Sequence, residues 1–321
     1  MPQPTPPLDE HGFPIPPTFD GHVHRRRPGE LFGGAWKFGL VLAFMGLLAG
    51  WLWKSDAASG AKQLVARRLL ARAVDKYQAG DLNGAMADLD RALSWSPDDA
   101  GIFRVRAKIR LESNDVDGSL ADFDQLIRLS PRYAQAYLDR SQVYQRLDRH
   151  REAIDDLSKA ISLSPSGDPT PRNNRAYARA LANVELDEAL VDVQQALDIV
   201  DQQIADTERV LPGTDAALQY KVQKAAYLDT RGYIHFLQGN YEPARDDLNQ
   251  AIELAQQGLD AALPLVPAPR RAATQTQFNH EMAVMYHHRG EVFAKLGQQD
   301  AAKSDLDRGD QLGYNPAAGV F

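Results

Sequence analysis

Residues 72–97, RAVDKYQAGDLNGAMADLDRALSWSP, decide the fold once they are set above two others: residues 106–131, RAKIRLESNDVDGSLADFDQLIRLSP, and residues 140–165, RSQVYQRLDRHREAIDDLSKAISLSP. The three stretches repeat every 34 residues, and each opens on arginine plus a small residue and closes on proline. Less regular copies begin at Arg175-Ala176, Arg231-Gly232 and Arg289-Gly290. A second small residue follows the arginine, at Ala85, Ser119, Ala153, Ala189, Ala244 and Ala302. Three positions further stands an aspartate in every copy: Asp88, Asp122, Asp156, Asp192, Asp247 and Asp305. A fixed period of this length is the signature of stacked supersecondary units.

Each copy predicts a helix hairpin. Apolar and small residues recur at three- and four-residue spacing, as in Leu89, Ala92 and Leu93 or Leu157, Ala160 and Ile161, which gives one buried stripe per helix. Small residues at the two marks let antiparallel helices approach closely. Gly80-Asp81, Asn114-Asp115, Gly239-Asn240 and Gly297 supply the turns between them, because glycine and asparagine tolerate left-handed backbone. The prolines at 97, 131 and 165 stop the second helix. One hairpin cannot cover its own stripe, so the copies must stack.

Aspartate disfavours a helix interior, so its recurrence requires a partner. The candidates are the arginine sixteen residues earlier, or the one eighteen later in the next copy. An Arg–Asp ladder is expected through Arg72 and Asp88, Arg106 and Asp122, Arg140 and Asp156, Arg175 and Asp192, Arg231 and Asp247, and Arg289 and Asp305. The alternative, six ligand-binding carboxylates, is disfavoured by the matched arginines.

This pattern resembles the tetratricopeptide repeat family across about residues 62–316. An aromatic early in the first helix fits at Phe103, Tyr137 and Tyr286, but Leu69 and Leu228 replace it in copies one and five. The resemblance implies an all-α, right-handed solenoid of antiparallel hairpins with a concave groove lined by the first helices. Repeats one to four would occupy residues 62–200, repeat five 225–258 and repeat six 280–316, with insertions at 201–224 and 259–279. Both insertions read as lengthened helices around a loop, Pro212-Gly213-Thr214-Asp215 serving as stop and new cap in the first.

Carried over from the family, the groove would include Arg67, Leu70, Val74 and Tyr77, then Arg104, Lys108, Leu111 and Glu112. Gln135, Leu138, Gln142 and Arg146 continue it, and Asp229, Tyr233 and Phe236 line copy five. Its first half is basic on a chain of net charge −7, which suits an acidic or carboxylate-bearing extended peptide. The carboxylate-clamp receptors of the family carry polar side chains where this chain has Leu70 and Val74.

Ahead of the repeats, residues 1–34 hold eight prolines and few aliphatic residues, so they are expected to form a disordered tail. Residues 38–53, FGLVLAFMGLLAGWLW, are free of charge; begun at Ala35, a helix there spans about 28 Å against a hydrocarbon core of about 30 Å. Trp36, Trp51 and Trp53 sit near its ends, where indoles favour the headgroups. A transmembrane helix is therefore expected over 35–53, as an uncleaved anchor even though Ser59-Gly60-Ala61 could pass for a cleavage site. Lysines and arginines tie on its two flanks, and the Arg25-Arg26-Arg27 triplet favours a cytoplasmic tail with the repeats on the other side. Gly39, Ala43, Gly46 and Gly50 form one small-residue face that could pair two spans into a homodimer.

Other chemistries find little support. Cysteine is absent, which excludes disulfides and thiolate metal sites. The acidic excess lies after residue 53 and argues against nucleic acid. His22-Val23-His24 lies in the tail without a distant ligand set, and the adjacent His287 and His288 face different ways. No phosphate loop or nucleophile elbow occurs, so neither an enzyme nor a cofactor is expected. The leading expectation is a membrane-anchored scaffold binding proteins or extended peptides; the alternatives are a chaperone-like receptor and a structural subunit of a membrane complex.

Overall fold

The computed structural model describes residues 56–164, 167–212 and 214–314. The chain divides into two compact units, 1–63 and 64–321; of the first, the described part is the start of α1. The tail, the expected span at 35–53 and its small-residue face lie outside the described residues. Among the described residues no helix is long and apolar enough to cross a membrane.

The described helices pair into six hairpins: α1 (Asp56–Gln78) with α2 (Leu82–Trp95), α3 (Ala100–Glu112) with α4 (Val116–Leu129), and α5 (Ala134–Arg146) with α6 (His150–Leu163). Then follow α7 (Thr170–Ala182) with α8 (Leu186–Val210), α9 (Leu218–Leu237) with α10 (Tyr241–Leu265), and α11 (Ala268–Lys295) with α12 (Gln299–Gln311). The turn of every hairpin holds a left-handed residue, at Gly80, Asn114, Asp148, Asn183, Gly239 and Gly297, and the fourth turn holds a second at Glu185. Asp148 and Asn183 were not expected there; short polar side chains reach this region by bonding locally. The caps Asp81 and Asp115 accept the Gly84 and Gly118 amides at 2.8 and 3.0 Å, satisfying donors that a helix start leaves orphaned.

The second helix of each hairpin buries the same face. Ala85, Asp88, Leu89 and Ala92 do so in α2, and Ala153, Asp156, Leu157 and Ala160 in α6. The small residue at the first mark is a steric requirement. A Cβ on Gly290 would stand 2.8 Å from Leu306 Cγ and 3.2 Å from the Ala302 carbonyl, and Ala107, Ser141 and Ala176 are fully buried at the matching place. Apolar clusters straddle neighbouring hairpins, as when Ile102 and Ile109 of α3 join Ala85 and Leu89 of α2. The interior is shared between units rather than closed within each, as repeat stacking demands.

Both insertions are helical. The second helices α8 and α10 run for 25 residues each, against 14 in α2, and α9 and α11 for 20 and 28 against 13 in α3. Thr214 caps the short 3-10 turn Asp215–Ala217, accepting the Ala216 amide at 3.3 Å. The added turns contribute to the interior: Val200, Leu259, Ile204, Leu263 and Phe278 belong to the cluster that unites hairpins four to six.

Candidate functional site

Every expected Arg–Asp pair is a two-point fork inside its own hairpin. Nε and Nη2 of the arginine donate to the two carboxylate oxygens, at 2.9 and 2.7 Å from Arg106 to Asp122, 2.8 and 2.7 Å from Arg140 to Asp156, and 2.7 and 2.6 Å from Arg175 to Asp192. Arg72, Arg231 and Arg289 clasp Asp88, Asp247 and Asp305 in the same way. Of the two partners open from spacing, the earlier arginine is therefore the one used.

The later arginine does a different job. Its Nη1 reaches back to the previous hairpin, two residues beyond that hairpin's aspartate: Arg106 to Asp90, Arg140 to Asp124, Arg175 to Ser158 Oγ, Arg231 to Gln194 and Arg289 to Asn249, all between 2.6 and 2.9 Å. One guanidinium thus ties helix to helix and hairpin to hairpin, using the planar fork that lysine lacks.

In the first hairpin the Arg72 fork holds the Asp88 carboxyl down at about 2. Its contribution to stability is complete above the ordinary aspartate value of about 3.9 and fades as pH falls through the folded value. Replacing Asp88 with asparagine is expected to flatten the loss of melting temperature between about pH 4 and about pH 2. An acid limb identical to the parent's, followed by circular dichroism, would speak against the fork.

The expected groove residues lie on the first helices, and several bridge from one hairpin to the next. The Tyr77 hydroxyl donates to the Glu112 carboxylate, which pushes its ionisation up to about 12. Lys108 Nζ stands 3.3 Å from Asp139, a carboxylate that is 5% exposed and also accepts from Gln135 at 2.8 Å. Arg104 donates to the Tyr133 hydroxyl at 2.7 Å, and Arg146 to the Leu111 carbonyl at 3.3 Å. Arg67 is exposed and makes no ion pair among the described residues. Lys108 is therefore neutralised by Asp139, and the free positive charge of this half rests on Arg67, Arg104 and Arg146.

The second half is aromatic. Tyr233 stacks on His288 with centroids 4.4 Å apart, and Tyr177 and Phe236 lie at 6.5 and 6.4 Å. Phe236 leads on to Tyr241 at 6.0 Å. His288 Nδ1 donates to Asp229 at 2.9 Å, both side chains being buried. His287 turns away to stack on Tyr314 at 3.8 Å, and burial lowers its pKa. Tyr177 had escaped the sequence reading, which weighed His288 only as a metal ligand beside His287 and not as the partner of Asp229. His288 directly precedes the repeat arginine, as Asp139 does, so the register could have flagged it. Among the described residues no three His, Asp or Glu side chains gather as a metal set.

Residues 134–166 and 225–257, the third and fifth hairpins, match the tetratricopeptide repeat. Two of the six hairpins thus match that repeat, in an array that is all-α among the described residues. No curated protein matches the chain in sequence. Among solved structures it is similar to PilW, a type IV pilus biogenesis factor, at 15% identity over 79% of this chain and 96% of that one, with a TM-score of 0.54. It is also similar to the Cut9–Hcn1 hetero-tetramer of the APC/C at 15% identity and TM-score 0.56, over 85% of this chain but 43% of that one. A tetratricopeptide repeat protein from Parabacteroides merdae aligns at 16% identity over 79% of this chain and 96% of its own, with a TM-score of 0.48. At these identities the likeness to PilW and to Cut9–Hcn1 is one of fold.

Proposed function

We propose that the protein is a membrane-anchored interaction scaffold whose six hairpins are all tetratricopeptide repeats and whose groove binds a partner protein or extended peptide. The observation that carries this reading is the charge of the groove. Arg67, Arg104 and Arg146 stand on first helices of a chain that is otherwise acidic, of net charge −7, so an acidic peptide is drawn in and oriented. The aromatic run from Tyr177 to Tyr241 offers broad, stiff surface for its apolar side chains. Repeat proteins mediate protein–protein contact in general, and the fold is shared with a pilus biogenesis factor and with a hetero-tetrameric assembly. The apolar run 35–53, free of charge from Phe38 on, is the proposed anchor, with the tail cytoplasmic and the repeats on the far side.

The test is crosslinking in native membranes followed by capture with an Arg104→Glu/Arg146→Glu chain. Lys108 is left alone because reversing it would leave Asp139 buried against a like charge. Capture of the groove partner is expected to fall about tenfold, about 1.4 kcal/mol, with an unchanged melting temperature. Undiminished capture would instead support a structural subunit held through its insertions, where Val210, Leu211 and Leu265 are 71, 49 and 73% exposed.

A further inference from the structure

The lengthened first helices of hairpins five and six enclose a concavity upstream of Tyr233 and His288 on those helices. A cavity of about 650 Å³ opens between the start of α9 and the middle of α11, within the range of about 300–1,000 Å³ that ligand sites occupy. It exists because of the insertions. Val222, in the added turns of α9, sits directly on Gly258 of α10, where a Cβ would meet its Cγ2 at 2.4 Å and Phe278 of α11 at 3.4 Å. The missing side chain lets α9 and α11 settle on α10 while their outer faces leave a hollow.

The walls are of two kinds. Val222, Ala226 and Met285 form an apolar side, and Tyr220 and Glu281 stand among the polar residues. Glu281 is the informative member. Its carboxylate is half-buried, accepts only a long bond from Gln277 at 3.3 Å, and makes no ion pair among the described residues. Burial raises its pKa. A half-buried carboxylate is best satisfied by a close cation or several donors; Gln277 gives it one long donor, and His280 in the same wall acts on it electrostatically without forming an ion pair with it among the described residues. The fully buried carboxylates described above are clasped by arginine, lysine or histidine.

We propose that this cavity is a recognition pocket for a basic segment of a partner polypeptide. A lysine or arginine would lay its methylene stem along Val222, Ala226 and Met285 and bring its charged head to Glu281, beside the Tyr220 ring. Long basic side chains bury their stems and keep their heads paired in this way, and an aromatic face adds cation–π attraction. A polypeptide is the occupant rather than a free amine for two reasons. The volume far exceeds one side chain, and the Gln219 amide with the carbonyl oxygens of Gln223 and Gln277, whose nitrogens bond within the chain, can meet backbone groups. The site lies about two helical turns before Tyr233 and does not depend on the groove reading.

The experiment uses the full chain in detergent with ¹³C-methyl methionine. The chain has five methionines; Met285 lines the cavity, and Met86 in α2 serves as an internal reference. The probe is the peptide acetyl-Ala-Leu-Lys-Leu-Ala-amide, compared with its norleucine-for-lysine analogue and with pentylamine. The lysine peptide is expected to shift the Met285 signal saturably without moving Met86, and to bind about tenfold more tightly than the norleucine peptide. Glu281→Gln should abolish that preference, and Arg104→Glu/Arg146→Glu should leave it intact. An unmoved Met285 signal, equal binding of the two peptides by the unsubstituted chain, or pentylamine binding as tightly as the peptide would each overturn the proposal.

Discussion

Replacing Arg140 with methionine is expected to lower the free energy of unfolding by about 3–5 kcal/mol, the usual consequence of leaving a buried charge without its partner. Asp156 is 7% exposed at its side chain, and among the described residues the Arg140 fork at 2.8 and 2.7 Å supplies its only cation. Other hairpins have a reserve. Lys76 lies 2.8 Å from Asp88, Arg110 lies 2.8 Å from Asp122, and Arg179 bonds Asp192. In hairpin three that reserve position is Tyr144, one turn after Arg140, and a phenol at neutral pH carries no charge.

The comparison with Arg72 makes the test selective. Arg72 is 53% exposed at its side chain and shares its aspartate with Lys76, so Arg72→Met should cost clearly less than Arg140→Met. The double variant Arg140→Met/Asp156→Leu should recover most of the loss, because a well-packed apolar pair can equal a buried ion pair. Urea unfolding of the three variants measures this. Equal losses at Arg72 and Arg140, or no recovery in the double variant, would mean that the fork is not what holds the hairpin.

The forks were legible because one residue type recurs sixteen residues after the arginine in five copies and seventeen in the fourth. The rail between hairpins was not, and the reason is chemical. Asp90, Asp124, Ser158, Gln194 and Asn249 have only the capacity to accept a hydrogen bond in common, so no identity repeats along the chain. The turns show the same split: Gly80, Gly239 and Gly297 announce a left-handed residue, whereas Asp148 reaches that conformation without the signature. The pairing of Lys108 was not legible because its partner Asp139 belongs to the next hairpin and is buried there. The cavity between α9 and α11 depends on how helices some 58 residues apart settle on Gly258, and no local pattern encodes that.

The second large effect is expected at His288. Substituting leucine should destabilise the chain by about 3 kcal/mol or more, since Asp229, 2% exposed, would keep a buried carboxylate without the donor now 2.9 Å away. The Tyr233 ring stacked at 4.4 Å on the imidazole would also lose its neighbour. Asp229 belongs to α9 and His288 to α11, so the damage falls between hairpins five and six. In an array stabilised through nearest neighbours it should stay local. Hydrogen exchange is therefore expected to show lost protection in α11 and α12, with α3 to α6 unchanged. Asp229→Leu/His288→Leu should restore much of that protection by removing the stranded charge. Uniform loss along the whole array would mean that the hairpins unfold as one block, and that this pair is no more than one core contact among many. Local loss would make the Asp229–His288 pair the clasp that keeps the last hairpin, and with it the Tyr233 end of the groove, closed against the rest.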